Sequence, residues 1–348
     1  MNNENDKEKP IRSISVPNLI ISCSRRTDIP AFYPEWLLNR LNAGFCYVPN
    51  PINSKMLFRI PLDSSSVDAV VFWTKNPGSL LENRKQSGGK SILDLLDEKG
   101  YNYCFQFTVT GYPREIETNV PSLEHIFDVF RTISTRLQAK NSKTGVKRII
   151  WRYDPVILTK ELDTEYHLRN FSYITKKLHS YTDRCIISIV DLYEKTKRRL
   201  PPDFKDNLNS DPDSGEIRLL LSKMAEIAKS AGIKMFTCAE KDIYREAGIK
   251  KGSCIDGNLI EEIFGLKLSG KINRKAQGQR EECNCVVSRD IGMNNTCLHN
   301  CAYCYATTSP EKAESCFNLH DPLSSMLIGN PTGHETIYEV SVKSEHCR

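Results

Sequence analysis

The feature that most constrains this chain of 348 residues is a repeated alternation of two periods. Short apolar runs rich in β-branched and aromatic residues recur at residues 18–24 (NLIISCS), 67–74 (VDAVVFWT), 102–110 (NYCFQFTVT), 148–153 (RIIWRY), 184–190 (RCIISIV) and 233–239 (IKMFTCA). Each reads as a strand, and most are continuous rather than alternating, as expected of parallel strands covered on both faces. Between them lie helical segments, the clearest being 216–232. There Ile217, Leu220, Leu221, Met224, Ile227, Ala228 and Ala231 share one face, and Gly232 marks the stop before the next strand. A βα unit repeated about six times predicts an α/β fold with a parallel sheet, open or curled.

Strand exits favour curling. Polar residues crowd the C-terminal end of nearly every run: Arg25, Arg26, Thr27 and Asp28; Thr74, Lys75 and Asn76; Thr108 and Thr110; Arg152 and Asp154; Asp191; Glu240. Taken singly, Thr27, Asp28 and Asn76 read as helix N-caps. Taken together they converge only if the sheet closes or nearly closes, so the expected fold is a full or partial TIM-like (β/α)6–7 barrel with its site at the C-terminal mouth. No glycine-rich phosphate loop follows the first strand, which weakens a nucleotide-binding doubly wound fold, and no zincin, nucleophile-elbow or kinase motif is present. The expected organisation is a flexible N-terminus (1–16), a barrel core (17–253), a cysteine-rich segment completing the barrel (254–330) and a flexible tail (331–348), with a basic polar linker at 271–280.

Charge and cysteine usage narrow the function. A formal charge of +5 with no identifiable basic face neither demands nor excludes nucleic acid, and the run EKTKRRL (194–200) reads as a solvated insertion. The sequence lacks a secretory signal and an apolar run long enough to span a membrane, so a cytoplasmic location is expected. In a reducing compartment thirteen cysteines point to metal where clustered and to packing where scattered. Cys23, Cys46, Cys104 and Cys185 are of the scattered kind.

The clustered ones stand in NNTCLHNCAYCYA, where Cys297, Cys301 and Cys304 have the spacing C-x3-C-x2-C. Three thiolates on one short loop suit three irons of a [4Fe–4S] cluster and leave the fourth iron without a protein ligand. Such an open position is what a catalytic metal requires. Cys254, Cys283 and Cys285 read either as a second site, for another cluster or for zinc, or as ordinary thiols near the first. Two other readings stay open: a structural zinc site built from Cys283, Cys285, Cys301 and Cys304, and a non-catalytic redox or iron sensor. Arg25, Arg26, Lys75 and Arg152 would favour an anionic cosubstrate or substrate unless Asp154, Asp191 and Glu240 neutralise them.

The C-x3-C-x2-C spacing, with an aromatic residue before the last cysteine, resembles the cluster loop of radical S-adenosylmethionine enzymes. CAYCYA is especially similar to the loop of the spore photoproduct lyase branch. The resemblance implies Cys297, Cys301 and Cys304 as cluster ligands and Tyr303 near the adenine. It also implies S-adenosylmethionine bound at the open iron and reductively cleaved to a 5′-deoxyadenosyl radical, with electrons from a flavodoxin or ferredoxin. Over nearly the whole chain, SCSRRTDIPAFY, FWTKNP, WRYDP, QREECNCVVSRDIG, TCLHNCAYCYA and HDPLSSMLIG are similar to the family catalogued as domain of unknown function 1848, which carries no assigned reaction. In the radical enzymes the cluster loop follows the first strand, whereas here it comes near the end. A circular permutation reconciles the two. If residues 285–290 (CVVSRD) form the strand feeding the loop and 309–320 its helix, the strand at 18–24 lies next in space. SRRTD then occupies the place of the glycine-rich segment, with Thr27 and Asp28 available to the cosubstrate ammonium and Arg25 or Arg26 to its carboxylate.

Overall fold

The computed structural model describes residues 11–191, 193–268 and 280–342; residues 271–279 of the expected linker lie outside them. Twelve strands are present among these: β1 Arg12–Val16, β2 Ile20–Cys23, β3 Phe45–Pro49, β4 Met56–Pro61, β5 Ala69–Thr74, β6 Tyr103–Thr108, β7 Ile149–Val156, β8 Arg184–Ile189, β9 Lys234–Cys238, β10 Lys250–Gly252, β11 Arg289–Asp290 and β12 Thr336–Val342. Eight of them make one sheet in the order β10-β9-β8-β7-β6-β5-β2-β11. Every neighbouring pair in it is parallel. The molecule is therefore an α/β protein, and all six runs expected to be strands belong to this sheet.

Helical period and capping explain the crossovers. The helix Gly215–Ser230 starts at Ser214, whose side chain accepts from Ile217 N, and buries Ile217, Leu220, Leu221, Met224, Ala225 and Ala228. Gly232, at φ 75°, turns the chain into β9, a conformation that L side chains disfavour. The helix Leu123–Lys140 buries Phe127 and Phe130, and Phe130 lies 4.9 Å from Phe107 of β6. The helix Thr164–Leu178 stacks Phe171 on Trp151 of β7 at 4.8 Å. Each such aromatic burial is worth about 1.5–3 kcal/mol, so the helices are fixed to the sheet by their apolar stripes. Among the described residues no helix is long and apolar enough to cross a membrane.

The end of the chain reaches its beginning. β11 pairs with β2 in parallel, Arg289 opposite Ile21 and Asp290 opposite Ser22, as the permuted order requires. The helix Pro310–Phe317 follows the cysteine loop. The approach is close: a Cβ on Gly292 would stand 2.2 Å from Ser24 Oγ, so only glycine fits there. At the sheet's other end Gly252 is equally confined, a Cβ there lying 2.8 Å from Phe236 Cβ. Among the described residues no ladder joins β10 to β11, but Val286 N donates to Ile255 O at 3.1 Å, tying the segments beside these two strands.

A second sheet, β1-β12-β4-β3, takes in the described parts of both ends expected to be flexible; residues 1–10 and 343–348 of those ends lie outside the described residues. β1 and β12 pair in parallel, as do β12 and β4, while β3 and β4 are antiparallel. Residues 12–16 and 336–342 are thus ordered against each other; isolated in sequence, each looked too polar and short to pack. The scattered Cys23, Cys46, Cys104 and Cys185 are all buried in the core.

Candidate metal centre

The exits of all eight parallel strands line a single cavity of about 790 Å³. Contributing residues include Ser24–Asp28 after β2, Thr74 and Lys75 at β5, Thr108 of β6, Arg152 and Asp154 of β7, Ser188 of β8, Cys238 of β9, Cys254 after β10 and Ser288–Asp290 at β11. Val48, Phe58 and Ile60 of the second sheet form part of the same wall. Cys297, Cys301, Tyr303 and Cys304 also face it, so the late cysteine loop and the early SRRTD segment share one space.

Asp290 makes that junction. Its Oδ2 accepts from Ser22 Oγ and from Arg25 N, both at 2.8 Å, and its Oδ1 accepts from Arg26 Nε at 3.1 Å and Gly292 N at 3.1 Å. Burial opposes ionisation of this carboxyl, but Arg26 and the donors hold it below the usual range. Asp28 is engaged as well. It caps the helix Ile29–Phe32 through Ala31 N, and its Oδ2 accepts from Lys75 N at 2.7 Å and His299 Nε2 at 2.8 Å. The capping role foreseen for Asp28 taken alone is the one it performs, and the same carboxylate binds the cysteine loop.

A second anchor is a buried ionic knot. Glu117 Oε1 accepts from Lys75 Nζ at 2.7 Å, from Thr110 Oγ1 at 2.6 Å and from the Tyr303 hydroxyl. Burial alone would neutralise Glu117, yet Lys75 keeps its carboxyl below the ordinary range. Backbone pairing continues from there: Ala302 N donates to Ile116 O at 2.8 Å and Asn119 N to His299 O at 3.0 Å. On the outer side the helix Glu194–Arg199 closes the loop. Arg199 donates to Thr307 O at 3.1 Å and Asn300 Oδ1 at 2.9 Å, and Thr196 is buried. EKTKRRL is thus solvated on one face, where Glu194, Lys195 and Arg198 are exposed, and packs on the loop with the other through Thr196 and Arg199, whose carbonyl partners lie about a hundred positions on.

Burial sets the chemistry of the loop thiols. It pushes Cys301 up to about 12 and Cys297 well above the ordinary thiol range. Both are protonated at neutral pH unless a metal supplies positive charge. Among the described residues no three His, Cys, Asp or Glu side chains close on one point as ligands of a single ion do. A four-iron cluster asks for something looser, because each thiolate binds a different iron.

Most of the cavity's charges are paired, Arg152 with Asp154 as the sequence allowed and the others with different partners. Arg26 pairs with Asp290, Lys75 with Glu117, Arg152 with Asp154 and Arg280 with Asp191. Asp154 also accepts from Ser188 Oγ. Glu240 takes no arginine; it accepts from Ile189 N at 3.0 Å, and burial pushes its carboxyl up to about 7. Two guanidiniums have no carboxylate partner among the described residues. Arg25 donates to Ser288 Oγ at 3.0 Å and lies over Trp73, and Arg289 lies over Phe58. Buried polar atoms without a hydrogen-bond partner concentrate here too: of eight among the described residues, Thr27 Oγ1, Trp73 Nε1, Arg289 Nε and His299 Nδ1 belong to residues lining this cavity. Each such atom costs about 1–3 kcal/mol unless a ligand satisfies it, so their gathering marks a binding site. Asn76 turns away, receiving Gly78 N at 3.3 Å.

The remaining cysteines form a separate group. Cys283 and Cys285 have Cys238 and Cys254 as thiol neighbours, whereas Cys301 has Cys304 and Cys297 has both. The leading thiol neighbours of Cys283 and Cys285 are thus on the β9 and β10 side and those of Cys297 and Cys301 are on the loop. Residues of the site that were not singled out from the sequence include Trp73, Glu117, Cys238, Arg289, Asp290 and His299. Only His299 carried a local signal, lying between two cysteines of the motif.

Fold and cavity define a parallel α/β protein with a thiol-bearing, partly cationic pocket at its strand exits. The chain belongs to the family described as domain of unknown function (DUF1848), whose sequence model matches residues 20–306. No curated protein matches it. A solved structure of a candidate alpha-L-fucosidase from Bacteroides thetaiotaomicron VPI-5482 is similar over 77% of this chain and 100% of its own, at 11% identity and a TM-score of 0.30, a likeness too slight to support an argument.

Proposed function

We propose that this protein is an iron–sulfur enzyme of the radical S-adenosylmethionine type, built on a partial barrel whose strand order is circularly permuted. The observation that carries the reading is that Cys297, Cys301 and Cys304 line the one cavity on which all eight strand exits converge. These three thiolates would hold three irons of a [4Fe–4S] cluster, the fourth facing the cavity. When bound, the cluster would supply the electron that reductively cleaves S-adenosylmethionine. The chain's own residues would do the rest. Arg25 and Arg289, free of carboxylates, suit an anionic group such as the cosubstrate carboxylate. Thr27 Oγ1 is an unsatisfied partner for its ammonium, while Asp28 is committed to His299 and Lys75 and holds the loop. Lys75 offsets the negative charge of the thiolates, and the helix Glu194–Arg199 keeps water off the loop's outer side. Tyr303 stays the candidate for the adenine side. The electron donor would be a flavodoxin or ferredoxin in the cytoplasm, and the remaining partner an anionic substrate.

Anaerobic reconstitution with iron and sulfide tests this. The expected result is a brown protein that forms 5′-deoxyadenosine from S-adenosylmethionine under dithionite, an activity absent from Cys301→Ala. A protein that assembles no chromophore overturns the reading. One that assembles it and cleaves nothing is a sensor instead.

A further inference from the structure

The strand exits β9 and β10 bring together thiols that are far apart in sequence. Cys238 ends β9, and Gly252 of β10 pairs directly with it, which places Cys254 two residues beyond at the neighbouring exit. The segment before β11 then crosses this pair. Val286 N donates to Ile255 O at 3.1 Å and Ile255 N donates back to Cys285 Sγ at 3.3 Å. The result is a chain of thiol contacts: Cys238 touches Cys254, Cys254 touches Cys285, and Cys285 touches Cys283. All four are buried and all four line the cavity.

Ordinary apolar packing is the alternative, since buried cysteines often serve as small hydrophobes and these four adjoin Ile255, Leu259 and Ile260. Two donors argue otherwise. Arg152 Nη1 points at Cys254 Sγ from 2.8 Å, and Ile255 N points at Cys285 Sγ. A guanidinium and an amide aimed at sulfur are donors that metal-bound sulfur accepts from and that apolar packing does not need. Four sulfurs exhaust the ligand requirement of a tetrahedral zinc or of a fully ligated iron–sulfur cluster. The sulfurs run as a chain and not around a point, so holding one metal centre would require these side chains to turn into other rotamers.

We infer that Cys238, Cys254, Cys283 and Cys285 form a second, fully protein-ligated centre for a thiophilic metal, with no position left for a substrate. It pins the cysteine-rich segment to the exits of β9 and β10, and Arg152 offsets its negative charge. Cys238 is the ligand that completes the set.

The test separates this centre from the proposed cluster by removing the latter. A Cys297→Ser/Cys301→Ser/Cys304→Ser triple variant is expressed in medium supplied with zinc or with iron, and its metal and sulfide are measured after chelator washing. One centre per chain is expected, as zinc or as iron with sulfide. X-ray absorption at the metal edge should show four sulfur scatterers at about 2.3 Å for zinc, or sulfur and iron shells for a cluster. Adding Cys238→Ser should lower the affinity for the retained metal at least tenfold. To guard against misfolding, cobalt(II) is added to metal-free triple variant, where thiolate-to-cobalt charge-transfer absorption is expected without any change at Cys238. Absence of metal and of the cobalt band, retention of metal in the Cys238→Ser protein, or a disulfide between Cys238 and Cys254 under anaerobic alkylation each overturns the inference.

Discussion

The two thiol groups of this cavity differ in how they are held. Cys297, Cys301 and Cys304 sit on one loop braced by polar contacts: His299 to Asp28, Lys75 to Glu117, Arg199 to the loop's outer side. Cys238, Cys254, Cys283 and Cys285 come from three stretches of chain and sit in an apolar cluster with Ile255, Leu259 and Ile260. A loop carrying all its ligands locally needs external struts to fix its place in the fold. A centre gathered from separate strands is itself the strut. Substitutions at the braces should therefore damage the first group and spare the second.

The strongest break is expected from Glu117→Ala, which strands the buried Lys75 ammonium and frees Tyr303. It should lower stability by about 3–5 kcal/mol, read by urea unfolding, and abolish iron binding at the loop while the second centre keeps its metal. Asp28→Ala removes a helix cap and the contacts to Lys75 N and His299 together. A loss of about 3 kcal/mol is expected from these bonds, with the same asymmetry in metal retention. Equal loss from both groups would erase the distinction drawn between them.

Glu240 sharpens the comparison from the side of the second group, because it follows β9 two residues after Cys238. Its carboxyl is raised from 4.5 to about 7 by burial, so between those values the folded protein holds a proton that the unfolded chain has lost. Stability from this group consequently falls as pH rises from about 4.5 to 7 and is level above. Glu240→Gln should be neutral near pH 4 and more stable than wild type by about 2 kcal/mol at pH 8. Chemical denaturation across that range checks it. The smallest effect belongs to Arg199→Ala, about 1 kcal/mol in stability, with faster bleaching of the loop chromophore in air and no change in second-centre metal.

How legible these features were depends on distance along the chain. Six strands of the eight-stranded sheet could be anticipated because each βα unit signals itself within about thirty residues, and the C-x3-C-x2-C motif because its ligands fall within eight residues. Cys238 read as a strand residue because its thiol partners lie 16 to 47 positions onward. Glu117 stands in the polar stretch GYPREIETN and gains meaning only when Lys75 and Tyr303 meet it. The second sheet escaped for the same reason, since β12 finds partners in β1 and β4, each some 280 or more residues away. Charge pairing was open in the sequence, and of the three carboxylates considered for it Glu240 accepts instead from a backbone amide.

β12 lies between β1 and β4, and β11 completes the edge beside β2. A chain emerging from the ribosome N-terminus first can complete neither sheet until nearly all of it has been released. β1 and the outer side of β2 must wait unpaired through most of translation, exposed strand edges of the kind that seek foreign partners. Such long-range pairing also slows folding after release. The arrangement makes this protein a candidate client for chaperones that shield nascent strands. It also means that a truncated translation product, lacking β11 and β12, would leave an open edge in one sheet and two separated pieces of the other.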